Sequence, residues 1–385
     1  MLSAHLVRSL YSKSDRVRNF CMNPETREIA MNLKNFLAFV GPSVLAMVGL
    51  IAVPLLGVAY LSIHSSHVET ELVEVKSVVP LFGGLTKTTI EKVPQPVLDE
   101  NGHPIKVWEY VGRRNFDTVA DPGGLVEAVR KDRSKTAEGQ PTSFRQRMYG
   151  IYRDVTDVNF WGALEFTLLY AFITTPFILV LGFILAMLVN NVVKWARGPL
   201  IFCSLLPHII TPVVGSLSIY WLFLDNAIVA ALLEQLGAGK VYFLKDAFSI
   251  RTLIILYGVW HTTPFAFVIL YAGLQTVPQD SLQAAEVDGA NYWQRIRYII
   301  IPHLTALFSF IILIHLMDAY RIFEPVLVFG SNLFANSLQY LTYYILNFED
   351  NYYKAAASAI LTVIGICILL LPILRRTYRE QKGVA

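Results

Sequence analysis

Three ionisable residues interrupt the apolar run 304–327 at intervals of three: His315, Asp318 and Arg321. In a helix this spacing spreads them over one broad face, and an ionisable group inside a membrane normally faces a cavity or a partner. Such a set predicts a polar solute pathway, in which Arg321 would answer a negatively charged group on the cargo. The alternative is an Asp318–Arg321 pair that satisfies itself and only orients neighbouring helices.

A second polar group, His261-Thr262-Thr263, precedes Pro264 in the apolar run 252–274. Because Pro264 has no N–H to donate to the carbonyl of Trp260, the pattern predicts a locally opened helix. Freed backbone groups beside an imidazole and two hydroxyls would form a shelf suited to a sugar. The alternative is a proline kink in which Thr262 or Thr263 bonds back to the backbone.

No arrangement of residues in the sequence indicates catalysis. We predict no catalytic residue, no metal site and no cofactor bound by this chain. Cys21, Cys203 and Cys367 have neither disulfide nor metal-ligand spacing. Residues 237–241 read Gly-Ala-Gly-Lys-Val, which lacks the first glycine of a Walker A loop and has Val241 where a hydroxyl should bind magnesium. His208, beside Pro207 and Pro212, is interpreted as a packing residue.

The polar segment 283–302 lies between two long apolar runs. Residues 281–287 favour a short helix, and Gly289 can adopt the left-handed conformation that ends it. Residues 291–300 favour a second helix, which leads into Pro302 at the first turn of the next membrane helix. The expected product is a compact helix-turn-helix knob; the alternative is an ordinary polar connector.

This segment resembles the cytoplasmic coupling loop of ABC-importer permeases, whose pattern is Glu-Ala-Ala followed by Asp-Gly-Ala and a terminal Leu-Pro. The matching positions are Ala284, Ala285, Asp288, Gly289, Ala290, Ile299 and Pro302. The departures are Gln283 for glutamate, Ile296 for phenylalanine and Ile301 for leucine. The resemblance implies that a separate ATPase docks on the loop 278–303, through Gln283, Ala284, Ala285, Glu286, Asp288, Gly289, Ala290 and Pro302.

Composition places most of the chain in a bilayer, since 54% of the 385 residues are hydrophobic and 16% are charged. Six apolar runs can cross the hydrocarbon core: residues 36–61, 163–189, 200–224, 252–274, 304–327 and 356–374. Lysine and arginine flank them on one side, which is then cytoplasmic: Arg8, Lys13, Arg16, Arg18, Arg27, Lys34, Lys194, Arg197, Arg295, Arg297, Arg375, Arg376, Arg379 and Lys382. Both termini are therefore expected in the cytoplasm, and nothing calls for a nucleic-acid partner.

The loop 62–160 is long enough to form a small extracytoplasmic lobe. Residues 68–79 read as a strand, residues 89–97 and 105–111 as a hairpin turning at 99–102, and residues 122–133 as a short helix. Residues 110–116, 121–122 and 160–167 resemble the run that precedes the second span in carbohydrate-type permeases. An insertion of about 35 residues splits that run between Pro122 and Phe160.

These observations predict an all-α polytopic membrane protein with six transmembrane helices and a small mixed extracytoplasmic lobe between helices 1 and 2. Its parts would be a cytoplasmic leader (1–35), a first span (36–61), a periplasmic lobe (62–160), a permease core (163–375) and a cytoplasmic tail (376–385).

The family resemblance implies a permease of the bacterial inner membrane that forms half of the pathway for a sugar or sugar-like, including anionic, solute. It also implies partners: a second permease, an ATP-binding cassette ATPase dimer that uses ATP and Mg, a periplasmic solute-binding protein and the lipid bilayer. The alternative is a stand-alone secondary transporter that couples to protons through His315 and Asp318; it predicts inverted repeats and no knob.

Overall fold

A computed structural model describes residues 33–80, 86–99, 102, 104–127, 130, 152–156, 158–225, 227–237, 242–329 and 335–381. The predicted leader up to residue 32, most of the insertion, residues 238–241 and the end of the tail lie outside this part of the chain. The chain divides into two units, residues 1–58 and 59–385. This division does not test the predicted boundaries of the leader, first span, lobe, core and tail, which stay a prediction.

Helices dominate the described residues, and a few short strands follow the first helix. The elements are α1 (Leu33–Ile63), β1 (His64–Val68), β2 (Thr70–Pro80), β3 (Thr86–Pro96), β4 (Lys106–Tyr110), α2 (Arg114–Ala120), α3 (Asn159–Asn191), α4 (Lys194–Ile209), α5 (Pro212–Leu222), α6 (Ile228–Gln235), α7 (Ala247–Leu274), α8 (Gln279–Val287), α9 (Tyr292–Arg295), α10 (Ile301–His303), α11 (Thr305–Ala319), α12 (Glu324–Val328), α13 (Leu338–Asn347) and α14 (Tyr352–Gln381). A π-helical turn, Ile296–Ile300, joins α9 to α10.

Five stretches of this part of the chain are single helices long and apolar enough to span a membrane, and the pair α4 and α5 makes up to six. The fold class is thereby confirmed. The third predicted span, 200–224, is not one straight helix, because α4 and α5 meet at an angle of 90°. Ile210 and Thr211 are extended between them, as expected for residues ahead of Pro212, whose ring disfavours helical geometry in the preceding residue.

The lobe contains the predicted strands, but the predicted pairing is wrong. β2 pairs with β3 along their whole length and β1 pairs with β4, so an inner antiparallel ladder is nested within an outer one. The segments expected to form a hairpin share only the bridge between Leu98 and Pro104 and the hydrogen bond from Ile105 N to Val97 O at 2.9 Å. The long inner ladder satisfies more backbone groups than that short contact can. Of the expected helix 122–133, residues 122–127 are helical, and most of the rest lies outside the described part.

The helix α7 begins where its sequence provides a cap. The carboxylate of Asp246 accepts hydrogen bonds from the backbone N and the hydroxyl of Ser249, both at 2.9 Å. These bonds lower the pKa of Asp246, because they stabilise the ionised carboxylate. The cap fixes the start of the helix that carries His261 and Thr262.

The core of the second unit is built around the contact between α3 and α7. Gly182 on α3 lies so close to α7 that a Cβ atom there would be 2.8 Å from Ala266 Cβ and 3.0 Å from Phe267 N. Small residues permit such close backbone approach between membrane helices. Apolar side chains of α11 join the same cluster, including the fully buried Ile311. This packing holds α3, α7 and α11 around a shared interior.

Candidate functional site

A cavity of about 580 Å³ lies between α3, α7, α11 and the break between α4 and α5. Polar, charged and aromatic residues line it: Tyr170, His208, Pro212, Tyr257, Gly258, His261, Thr262, Phe265, His315, Asp318, Ala319, Arg321, Ile322, Phe323, Glu324, Pro325 and Gln339. Its size and mixed lining suit a small polar solute that also presents apolar faces.

Five of the six residues predicted for a solute pathway line this one cavity: His261, Thr262, His315, Asp318 and Arg321. Two helices predicted separately are therefore brought together here. Passage of cargo between α7 and α11 can therefore be tested by substituting these residues.

Thr263 is the exception, and the expected opening of the helix is absent. The helix α7 continues through Pro264 without interruption. The buried Thr263 hydroxyl donates to the carbonyl of Val259 at 2.6 Å. The bond of Thr263 matches the alternative interpretation of this segment, in which a threonine bonds back to the backbone. Thr263 points away from its neighbour because successive residues on a helix are about 100° apart.

The charged groups of the cavity are largely balanced within the protein. Arg321 pairs with Asp318 at 3.5 Å, with 59% and 61% of the two side chains exposed. Glu324 lines the same cavity, which leaves one carboxylate in excess when the histidines are neutral. Arg321 is paired through one exposed contact, and exposed ion pairs contribute little, so its preference for an anionic cargo stays a prediction.

His208 was interpreted as a packing residue, yet it lines the cavity and helps position it. Its Nδ1 donates to the carbonyl of His261 at 3.2 Å, while His261 Nε2 donates to the carbonyl of Ile210 at 3.1 Å. The hydroxyl of Tyr257 donates to the carbonyl of Pro212 at 3.0 Å. These three bonds tie α7 to the break between α4 and α5. The two prolines that flank His208 are the sequence signal of that break.

His315 is held by a residue that the sequence did not single out. It is 3% exposed, and its Nε2 lies 2.9 Å from the hydroxyl oxygen of Thr174 on α3. Tyr170, one turn earlier on α3, also lines the cavity. The hydrogen bond between His315 and Thr174 holds the imidazole ring, which α11 carries, against α3.

The predicted coupling loop forms a helix, a turn and a second helix. Gly289 has φ +78°, in the left-handed region that glycine adopts without strain. Its N–H donates to the carbonyl of Glu286 at 3.1 Å, and the N–H of Ala290 donates to the carbonyl of Ala285 at 2.8 Å. These two bonds form a Schellman motif, which ends α8 sharply.

The second helix of the loop begins with a capping box. The side chain of Asn291 accepts from Gln294 N at 2.9 Å, and the Gln294 side chain accepts from Asn291 N at 2.7 Å. The helix expected over 291–300 changes to a π-helical turn at 296–300, and Pro302 lies in the short α10 that follows.

The surface of the loop presents apolar side chains to the outside. Val287 is 88% exposed and Trp293 is 75% exposed. Arg295 pairs with Glu286 at 3.1 Å across the turn and so connects the two helices. Gln283 and Ala284 lie exposed on α8. A rigid knob with exposed apolar groups is a surface on which a partner protein can dock.

No group of three or more metal-ligating side chains occurs within the described ranges.

Comparison with known proteins identifies a family for residues 158–379, which match the binding-protein-dependent transport system inner membrane component. The trehalose transport system permease protein SugA of Mycobacterium tuberculosis is 30% identical over 260 residues, which cover 66% of this chain and 80% of that protein. The trehalose/maltose transport system permease protein MalF of Thermococcus litoralis is 29% identical, covering 54% and 70%.

A further relative and one solved structure also match this chain. A probable ABC transporter permease, y4oQ of Sinorhizobium fredii, is 37% identical over 40% of this chain and 50% of its own length. The chain thus spans half of that relative. The crystal structure of a bacterial alginate ABC transporter, in complex with an alginate pentasaccharide-bound periplasmic protein, has a chain with a TM-score of 0.53 at 22% identity, covering 59% of this chain and 80% of that one.

Proposed function

Because the chain belongs to the family of binding-protein-dependent transport system inner membrane components, and is a permease subunit of an ABC importer, we propose that its cavity carries a neutral sugar. The stand-alone proton-coupled alternative is not favoured. Within this family assignment, the chain forms half of a pathway whose other half comes from a second permease.

The lining of the cavity supports a neutral polyhydroxylated cargo. Tyr257, Phe265 and Phe323 offer aromatic faces, which can pack against the apolar face of a sugar ring. Thr262 and Gln339 offer hydroxyl and amide groups that both donate and accept. Arg321 is paired with Asp318, and Glu324 adds a further carboxylate to the lining, which disfavours an acidic cargo. The relatives' names point to trehalose and maltose as the first sugars to try.

The geometry of the coupling loop is the observation that carries the proposal. A Schellman turn and a capping box hold α8 and α9 as one rigid knob, and Val287 and Trp293 project from it. We expect this knob to seat in a separate ATP-binding cassette ATPase, which would bind and hydrolyse ATP with Mg. A soluble binding protein would deliver the cargo on the other side of the membrane.

Purification of the tagged chain from membranes of its own source organism tests this assembly. We expect an ATPase and a second permease to be retained with the chain in detergent. Trp293→Asp should lower the retained ATPase about tenfold or more, because removing one well-buried aromatic anchor typically costs 2 kcal/mol or more. Leu236→Asp is the matched control, since Leu236 is equally exposed, at 80%, but lies between α6 and α7. Equal loss in both variants, or in neither, would contradict the docking site.

The orientation follows from the basic flanks and is tested by labelling. We expect both termini and the coupling loop in the cytoplasm and the strands of the lobe outside, in an inner membrane. In a background with Cys21, Cys203 and Cys367 replaced by serine, Glu71→Cys should react with a membrane-impermeant maleimide only from outside. Asp280→Cys should react only from the cytoplasmic side. Reversed labelling would invert the proposed topology.

A further inference from the structure

The imidazole of His315 has one ring nitrogen bonded and one without a partner. Nε2 is 2.9 Å from Thr174 Oγ1, whereas Nδ1 is buried and has no hydrogen-bond partner in the part of the chain that the structure describes. Buried polar atoms in native proteins are almost always hydrogen-bonded, so this nitrogen calls for an explanation.

The bonds of Thr174 decide which ring nitrogen carries the proton. A threonine hydroxyl has a single proton to donate, and the Thr174 hydroxyl donates it to the carbonyl of Tyr170 at 2.8 Å. When the Thr174 proton points to the carbonyl of Tyr170, the oxygen accepts from His315 and Nε2 carries the ring proton. In the neutral ring Nδ1 is therefore a bare acceptor.

The other imidazoles of the cavity are engaged with the backbone. His208 Nδ1 and His261 Nε2 each donate to a carbonyl, so both help to hold the cavity together. His315 differs, because its free lone pair serves no bond within the described residues, and its side chain belongs to the cavity lining. A hydroxyl group that enters the cavity can supply the missing donor.

We propose that His315 selects the cargo, with Nδ1 accepting a hydrogen bond from one cargo hydroxyl and Thr174 fixing the ring in the tautomer that can accept. The inference rests on the proposed function and adds one residue-specific requirement to it. The cargo must carry a hydroxyl donor at one defined position, and a group that cannot donate is disfavoured there. Thr174 is a positioning residue for this contact.

Nitrogen-15 solid-state NMR of the purified importer in lipid tests the tautomer directly. The signals of the His315 ring are identified by their loss in His315→Gln. We expect a protonated Nε2 and a bare Nδ1. A protonated Nδ1 would overturn the assignment, whatever the cargo proves to be.

Uptake into proteoliposomes tests the contact with cargo, using trehalose, maltose and the full set of their monodeoxy analogues as probes. For one deoxy position, the parent-to-analogue rate ratio should fall about tenfold from wild type to His315→Gln. The glutamine amide takes the place of Nε2 and leaves no acceptor where Nδ1 was, so the analogue no longer leaves a buried acceptor unpaired. The ratios for the other positions should not change. His315→Asn, which keeps an acceptor near Nδ1, should retain part of the selectivity.

Thr174→Val should reduce the same ratio, because the ring is then no longer fixed. Thr175→Val is its matched control, since Thr175 makes an equivalent bond to the carbonyl of Ala171 at 2.6 Å. The binding protein is identical in every arm, so a change in ratio belongs to the permease. Wild-type uptake with ratios unaltered in His315→Gln would overturn this inference alone. No wild-type uptake of either sugar would overturn trehalose and maltose as the cargo, and the ring tautomer measured by NMR would then decide the inference.

Discussion

Gly289→Val is expected to lower cargo-stimulated ATP hydrolysis by the assembled importer about 5–30-fold while the chain still inserts into the membrane. Gly289 has φ +78°, and a left-handed conformation costs a residue with a side chain about 1–2 kcal/mol, with β-branched valine disfavoured further. A cost of this size shifts the population of the formed turn about 5–30-fold. Without the turn, α8 and α9 lose the fixed angle that presents Val287 and Trp293 together. The measurement is the ATPase rate of the purified complex with and without loaded binding protein.

The effect should come from the backbone alone, which allows sharp controls. A Cβ at Gly289 meets no atom within 4 Å, so Gly289→Asn, which tolerates the left-handed conformation, should keep most of the stimulation. Gly237→Val imposes the same strain elsewhere, at φ +86° and also in open space, and should leave coupling intact. Full stimulation in Gly289→Val would remove the turn from the coupling mechanism.

Gly182→Val is expected to prevent the folded chain from accumulating. A Cβ there would be 2.8 Å from Ala266 Cβ and 3.0 Å from the backbone N of Phe267, and neither atom can move without displacing α7. Overpacking a core costs about 1–3 kcal/mol and sometimes more, and the valine methyl groups add to the overlap. Since α3 and α7 frame the cavity, we expect little monodisperse protein by size-exclusion chromatography in detergent.

Gly182→Ala should give an intermediate yield, because alanine adds the Cβ alone. Gly49→Val is the control for a valine introduced into an apolar helix, since a Cβ at Gly49 meets no atom of the described residues within 4 Å. Wild-type yield and elution of Gly182→Val would show that the two helices are not packed as described.

The coupling loop could be predicted because its structure is encoded locally. A glycine that must be left-handed and an Asn-x-x-Gln capping box stand within a few residues of each other, and each acts on its own backbone. The resemblance to the family pattern then predicted that an ATPase docks on this loop. What local signals did not reveal was the π-helical turn at 296–300, for which we have no physical account.

Part of the cavity lining could be predicted, because ionisable residues in apolar runs are visible in the sequence. The contact between α7 and α11, however, depends on tertiary packing, and so do the contributions of Tyr170 and Thr174 from α3. His208 packs against His261 and Phe265, as expected of a packing residue. Its place in the cavity lining could not be predicted, because it depends on the bend at Ile210 and Thr211. The strand pairing failed for a related reason, since alternation identifies a strand but not its partner.

The central claim is that this chain imports cargo only as part of an ATP-driven assembly. The most direct test is uptake of labelled trehalose and maltose into proteoliposomes that contain the chain, its second permease and the ATPase, with ATP inside and binding protein outside. We expect uptake that requires both ATP and binding protein and that persists when the proton gradient is collapsed. Uptake by the chain alone, driven by a proton gradient and indifferent to ATP, would contradict it.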